Sequence, residues 1–295
     1  MLYGDLQLQK QILKDAKKYA DENELKIIFA SMVGSISKGL EYSDSDYDTR
    51  FLYVRKDFPE KICIPSQMKE EELVKRYYPK EDLVYEWIPF WELTSFLQFL
   101  ETPSFENDFS VGLYNIVGWT FQSPYQWDPY GIRNKIMPLI DDIFIKEYEI
   151  SYHLKEIERW YQKENDEIIA KNYMYALHAA LTIDWSISRG TQPPIYFDTL
   201  LYSCCNSDFC QEASKMVQEA KEKSYVINSE TASELHGTHF KIKTKHVKIL
   251  DNYIQKQRER GEKLVSEFRK ENRNRDNLSQ KITQMYEIIK QSVIK

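Results

Sequence analysis

Apolar positions recur at helical spacing through residues 5–22, where Leu6, Ile12, Leu13, Ala16 and Ala20 stand among lysines and acids. That period predicts an amphipathic helix packed on whatever follows it. The pattern then changes. KIIFASMV (26–33) is a short, apolar, β-branched run that breaks at Gly34, and YDTRFLYVR (47–55) is a second run of the same kind. Both read as strands, with the glycines and acids between them as their connection. A third strand is expected over LVYEWIPF (83–90), where Val84, Glu86, Ile88 and Phe90 share one face and Tyr85 and Trp87 the other, Pro89 favouring its end. Helical spacing returns in 91–101 through Leu93, Phe96, Leu97 and Leu100.

From about residue 134 onward strand signals fade. Helical candidates run over 147–163, 166–189, 208–224, 243–270 and 278–294, the last marked by Leu278, Ile282, Met285, Ile289 and Val293. Between them, SRGTQPPIYF (188–197) carries the glycine and prolines of a helix exit and a rigid turn. The chain therefore reads as α+β, with an N-terminal mixed-sheet domain over 1–125 and a helical domain over 126–295. No internal repeat or low-complexity tract interrupts this organisation.

Composition changes the picture little. With 295 residues, 42% hydrophobic, the chain can build one large or two modest cores, and its formal net charge of −6 exerts no global pull toward nucleic acid or anionic membrane. The four cysteines, Cys63, Cys204, Cys205 and Cys210, form no CxxC pair and read as reduced thiols. No apolar stretch has the length of a membrane span, and MLYGDLQLQKQ lacks the basic start and apolar core of a signal peptide. A cytoplasmic location and no membrane partner are expected.

The chemistry gathers in GSISKGLEYSDSDYDTR (34–50), where acids crowd a glycine-rich turn. Like charges so close are uncomfortable without a cation among them. Asp46 and Asp48 are one residue apart, so at the start of a strand both point to the same face and can hold divalent cations. Asp44 has the same parity but lies nearer the turn and could cap or solvate it. Gly34 and Ser35 can present backbone N–H groups and a hydroxyl to phosphate oxygens, with Gly39 letting the loop fold back. By spacing alone a solvated turn competes evenly with a metal site.

The wider pattern is more specific. The GS pair at 34–35, Gly39 four residues after Ser35, and SDYD at 45–48 resemble the signature of the DNA-polymerase-β nucleotidyltransferase superfamily. The run SDSDYDTRFLYV, continuing into Arg50, resembles the form found in the RNA-repair-pathway polymerase-β-like family. The stretch KNYMYALHAALTIDWSISRGTQPPIYFDTLL (171–201) is similar to that family's helix and proline pair in Lys171, Tyr173, Leu177, Trp185 and Pro193–Pro194. The resemblance spans roughly residues 27–201. Two positions depart from it: His178 stands where an arginine is expected, and Ile36 replaces the arginine that often follows the GS pair.

The resemblance implies a nucleotidyltransferase domain in the N-terminal half, using Mg2+ or Mn2+ held by Asp46, Asp48 and a third carboxylate. Glu86 is the choice for that carboxylate and Asp82 its rival. Gly34, Ser35, Lys38 and Arg50 are the implied nucleotide-binding residues, although Arg50 could equally pair with an aspartate as a structural group. His153 and His178 are expected to pack rather than to ligate, and Tyr173 and Tyr175 to be core. An NTP is the implied partner and RNA a possible acceptor. A local excess of basic residues between Lys243 and Arg275, including Lys256, Arg258, Arg260 and Lys263, could receive an RNA backbone or be a solvated helix face. A silent nucleotide- or RNA-binding module, or transfer to a protein or small molecule, are the competing expectations; the NTP, the acceptor and the oligomeric state stay open.

Overall fold

The amphipathic N-terminal stretch forms helix α1 (Leu6–Glu22), whose Ile12, Ala16 and Ala20 are buried against Ile27, Ala30 and Phe51. Those three belong to strands β1 (Leu25–Met32) and β2 (Thr49–Arg55), which pair antiparallel from Leu25↔Arg55 to Met32↔Thr49. The computed structural model describes residues 6–42, 45, 48–55, 90–100, 108–162, 166–231, 241–268 and 278–294. A bulge between Ile27 and Phe29 shifts the register, so Ile28 and Phe29 both enter the core on the side away from α1, while Ala30 returns to the α1 side. Beyond the bulge, Ser31 pairs with Arg50, which has the parity of Leu52 and Val54 on the side away from α1.

After β1, Gly34 turns the chain into a short helix, α2 (Gly34–Lys38). Strand β3 (Phe90–Glu92) adds to β2 in parallel, and β4 (Gln126–Trp127) adds antiparallel to β1, giving a mixed sheet of order β3-β2-β1-β4. Residues 83–89 of the expected third strand lie outside the described residues. Phe90 opens β3, which takes Trp91 and Glu92 from the helix expected at 91–101. That helix, α3 (Leu93–Gln98), starts where the Glu92 side chain accepts Ser95 N–H at 2.9 Å.

Two helices that the periodicity missed follow: α4 (Asp108–Gln122) and α5 (Ile132–Ile143), the latter with Pro138 inside it. α4 is apolar on most sides, which blurs the helical period, and it runs beneath the sheet through Val117 and Phe121. Next come α6 (Lys146–Trp160), β5 (Glu167–Ile169), α7 (Ala170–Arg189), α8 (Phe197–Cys204), α9 (Ser207–Thr231), β6 (Lys243–Lys245), α10 (Lys248–Phe268) and α11 (Leu278–Ile294). β5 and β6 form a two-stranded antiparallel sheet. The helices expected to begin at 166 and 243 accordingly begin at Ala170 and Lys248. Three-residue strands are too short to display a period of two.

Two large cores result. One gathers α6 to α10 around α7, which buries twelve of its residues. The other lies between the sheet and α3, α4 and α5, and it also takes Ile282, Met285, Tyr286, Ile289 and Val293 of α11. The C-terminal helix thus returns to the sheet, with Lys26 Nζ donating to Val293 O at 3.2 Å. Among the described residues no helix is long and apolar enough to cross a membrane.

Candidate active site

The β1–β2 pairing brings the two halves of the acidic segment together. Val33 N–H donates to Asp48 O at 2.8 Å, carrying the ladder one residue past the start of β2. The second strand therefore begins at Thr49 rather than at 47, and Asp48 stands just before it. Gly34 has φ +67°, and a Cβ there would lie 2.1 Å from Asp48 Oδ2. The carboxylate fills the space a side chain would need, so glycine is required both by the backbone and by the close approach. Ser37 Oγ donates to Gly34 O at 3.0 Å and Leu40 N–H to Ser35 O at 2.9 Å, closing the turn with Ser35 buried in it.

Arg50 leaves β2 toward α4. Its guanidinium lies 5.6 Å from the centroid of the Trp91 ring, and Nη1 is 3.4 Å from Thr120 Oγ1. Lys38, at the end of α2, places its ammonium 5.1 Å from the Tyr175 ring centroid. Burial lowers its pKa, Glu156 and Glu149 pull it back up, and Arg50 lowers it again. Asp46, Glu86, Asp44 and Asp82 lie outside the described residues.

Behind Lys38 is a buried polar group that no motif marked. Glu149 is fully buried; its Oε1 accepts Trp119 Nε1–H at 3.0 Å and His153 Nε2–H at 3.1 Å. Glu149 Oε2 and His153 Nδ1 have no hydrogen-bond partner among the described residues. The only trace of this pair in the sequence is its i,i+4 spacing in EISYH. His178 is also buried, and its Nε2–H donates to Ile195 O at 2.8 Å. Burial, reinforced by Lys38 and His153, holds its pKa well below 6.5, so the position where an arginine is expected is neutral.

The helical core seats the next residues of the acidic segment. Gly39, with φ +71°, lies so close to Tyr196 that a Cβ would fall 2.7 Å from the ring. Leu40 and Tyr42 are buried among α6 to α10. Lys171, at the start of α7, has its ammonium 5.5 Å from the Tyr42 ring centroid and 3.5 Å from Ser45 Oγ, which in turn accepts Tyr42 N–H at 2.8 Å. The proline-pair turn thus shapes the site indirectly, through Tyr196 against Gly39 and Ile195 against His178. Tyr173 is core: its hydroxyl donates to Asp251 Oδ1 at 2.7 Å. Tyr175 is half-buried beneath Lys38.

As a seat for a divalent cation, the described part offers Asp48, a hard oxygen donor held against a glycine turn. Among the described residues no three His, Cys, Asp or Glu side chains gather closely enough to hold a metal, and two of the three expected ligands, Asp46 and Glu86, lie outside them. Sulfur is no substitute. Burial pushes the Cys204 and Cys205 thiols up to about 11 and about 12, and both stay protonated at neutral pH.

These features define a mixed α/β protein with a small mixed sheet, a glycine turn seating an aspartate at its edge, and a large helical complement. The chain belongs to the RNA repair pathway DNA polymerase beta family, whose model matches residues 8–70 and 145–280. The matched segments contain the glycine–serine turn, the acidic loop and α6 through α10. The chain is also similar to the uncharacterized protein YcgL of Bacillus subtilis (strain 168), at 26% identity over 197 residues, 66% of this chain and 69% of that protein. The family's name implies polymerase or nucleotidyltransferase chemistry.

Proposed function

We propose that the protein is a metal-dependent nucleotidyltransferase that moves a nucleoside monophosphate from an NTP to an acceptor hydroxyl, releasing pyrophosphate. The observation that carries this is the seating of Asp48 Oδ2 against Gly34, which puts a carboxylate on the glycine–serine turn. Asp48, with Asp46 and Glu86 as sequence candidates, would hold Mg2+ or Mn2+, which when bound neutralises triphosphate charge and lowers the pKa of the acceptor hydroxyl. Gly34 and Ser35 orient the leaving phosphates. Lys38 and Arg50 bring positive charge to the side of the sheet that Asp48 borders, while His178, being neutral, brings none. The acceptor oxygen forms its bond to the α-phosphorus as the bond to the β-phosphate oxygen breaks, and the acceptor proton passes to a carboxylate, for which Glu86 is the candidate.

A silent nucleotide-binding module of the same fold is the second reading, favoured by the neutral His178 and by Ile36. RNA as acceptor draws on the basic positions of α10. Arg258 there pairs with Glu262 at 2.8 Å and Arg260 with Asp184 at 2.7 Å, leaving Lys256 and Lys263 as the exposed cations of that set of four.

Incubation with each α-labelled NTP, Mg2+ or Mn2+, and RNA, protein or small hydroxylated acceptors tests the proposal. Label transfer is expected, and it is expected to vanish in Asp46→Ala and in Asp48→Ala with the fold retained. Nucleotide binding without transfer would favour the silent module, and full activity in either alanine variant would remove the two-aspartate metal site.

A further inference from the structure

The segment that leads into the aspartates is gripped from far along the chain. Lys221, in the middle of α9, donates from Nζ to Gly39 O at 2.8 Å and to Glu41 Oε1 at 3.1 Å. The ion pair is largely shielded, with 18% of the lysine side chain and 11% of the glutamate side chain exposed. A charged donor to a backbone carbonyl and a carboxylate in such surroundings is worth more than a surface pair, because water competes poorly for either partner. Both acceptors belong to residues whose neighbours, Leu40 and Tyr42, are anchored in the helical core. The segment between Gly39 and Tyr42 is therefore fixed at its apolar side chains by packing, at the Leu40 and Tyr42 amides by Ser35 O and Ser45 Oγ, and at Gly39 O and the Glu41 carboxylate by one ammonium. Downstream, the same segment continues through Ser45 to Asp48, whose carbonyl is tied to Val33 and whose carboxylate rests on Gly34.

We infer that Lys221 is a positioning residue for the segment that runs to Asp48: it tethers the leading residues, Gly39 to Glu41, to the helical core, so that a cation at Asp48 meets a segment already fixed at its start. The inference rests on the nucleotidyltransferase reading of Asp46 and Asp48 for its functional consequence, but not for the tether itself. A loop held in its bound form binds with less loss of conformational freedom, so the tether acts on metal affinity rather than on the chemical step. Lys221 holds Gly39 O and Glu41 Oε1, neither of which is a reacting atom.

The test compares wild type, Lys221→Met, Lys221→Arg and Glu41→Gln by hydrogen exchange and by Mn2+ titration followed with electron paramagnetic resonance, before any assay of transfer. In Lys221→Met the amides of Gly39, Leu40, Glu41 and Tyr42 are expected to exchange about tenfold faster, with α7 and α10 unchanged. Mn2+ affinity is expected to fall about tenfold in the same variant, with the rate at saturating metal preserved. Lys221→Arg is expected to restore both, and Glu41→Gln, which keeps the Gly39 contact, to fall between. Uniformly faster exchange throughout Lys221→Met, or a lowered rate with unchanged Mn2+ affinity, would make Lys221 an ordinary structural lysine and overturn the inference. If the wild type binds Mn2+ but transfers no nucleotide, the transferase proposal falls, while the exchange and affinity shifts still decide the tether. Absence of Mn2+ binding by the wild type would overturn the transferase proposal and the positioning role toward metal, while the exchange rates alone would still decide whether Lys221 tethers the segment.

Discussion

Gly34 is the residue on which the most converges. Its left-handed backbone and its contact with Asp48 act together, so adding even one carbon strains the turn and displaces the carboxylate. Gly34→Ala is expected to cost about 1–3 kcal/mol, the usual range for a non-glycine residue held in a sparsely populated backbone region. Urea unfolding reads the stability, and Mn2+ titration reads the displaced oxygen. Wild-type stability together with wild-type metal affinity in that variant would mean that the turn is not built as described. Lys38 and Arg50 share one arrangement. Both cations are tied into aromatic surroundings, over Tyr175 and Trp91, so their charges are held in place rather than free to sweep.

Among the elements, α7 is the one through which the helical core speaks to the site. It presents Lys171 to Ser45 at its start, Tyr175 to Lys38 a turn later, and His178 to the proline-pair turn after that. Because His178 is held neutral in the folded chain while the unfolded chain titrates near 6.5, the unfolded state binds the extra proton below that pH. Stability is therefore independent of this group above pH 6.5. It falls as pH drops from 6.5 toward the lower folded value, by about 1.4 kcal/mol per pH unit. His178→Gln keeps a donor for Ile195 O and removes the titration. Urea unfolding at pH 7.5, 6.5 and 5.5 is expected to show a steeper decline in the wild type than in this variant. Parallel declines would show that His178 is not buried neutral.

At the scale of the molecule, the sheet is stabilised by the last helix of the chain. Ile282, Met285, Tyr286, Ile289 and Val293 of α11 are buried with Phe29 and Leu52 of the sheet, and Lys281 pairs with Asp142 at 2.7 Å beside them. Ile289→Ala is expected to lose about 2–5 kcal/mol, as large-to-small substitutions in a packed core do. The metal affinity of the molecules that remain folded is expected to be unchanged, since α11 packs in the core under the sheet and supplies none of the contacts described around Gly34 and Asp48. A denaturant midpoint equal to the wild type would place α11 off the core.

The local pattern was enough to mark α1, β1, β2, α3, α6, α7, α9, α10 and α11 and to single out the acidic segment, because each of these elements repeats its apolar face with its own period. The resemblance carried by Gly34, Ser35, Gly39 and the SDYD run was legible for the same reason: those residues are close in sequence. The three-residue strands and α4, which is apolar on most sides, were hidden, since neither shows a clear contrast between faces. The bulge at Ile28, the Glu149–His153 pair, the neutral state of His178 and the grip of Lys221 on Gly39 and Glu41 belong to the tertiary structure alone. The bulge and the Lys221 contacts join residues distant in sequence, and the burial of Glu149, His153 and His178 follows from the helices packed over them; removal from water holds His178 neutral and strengthens the grip of Lys221 on the loop.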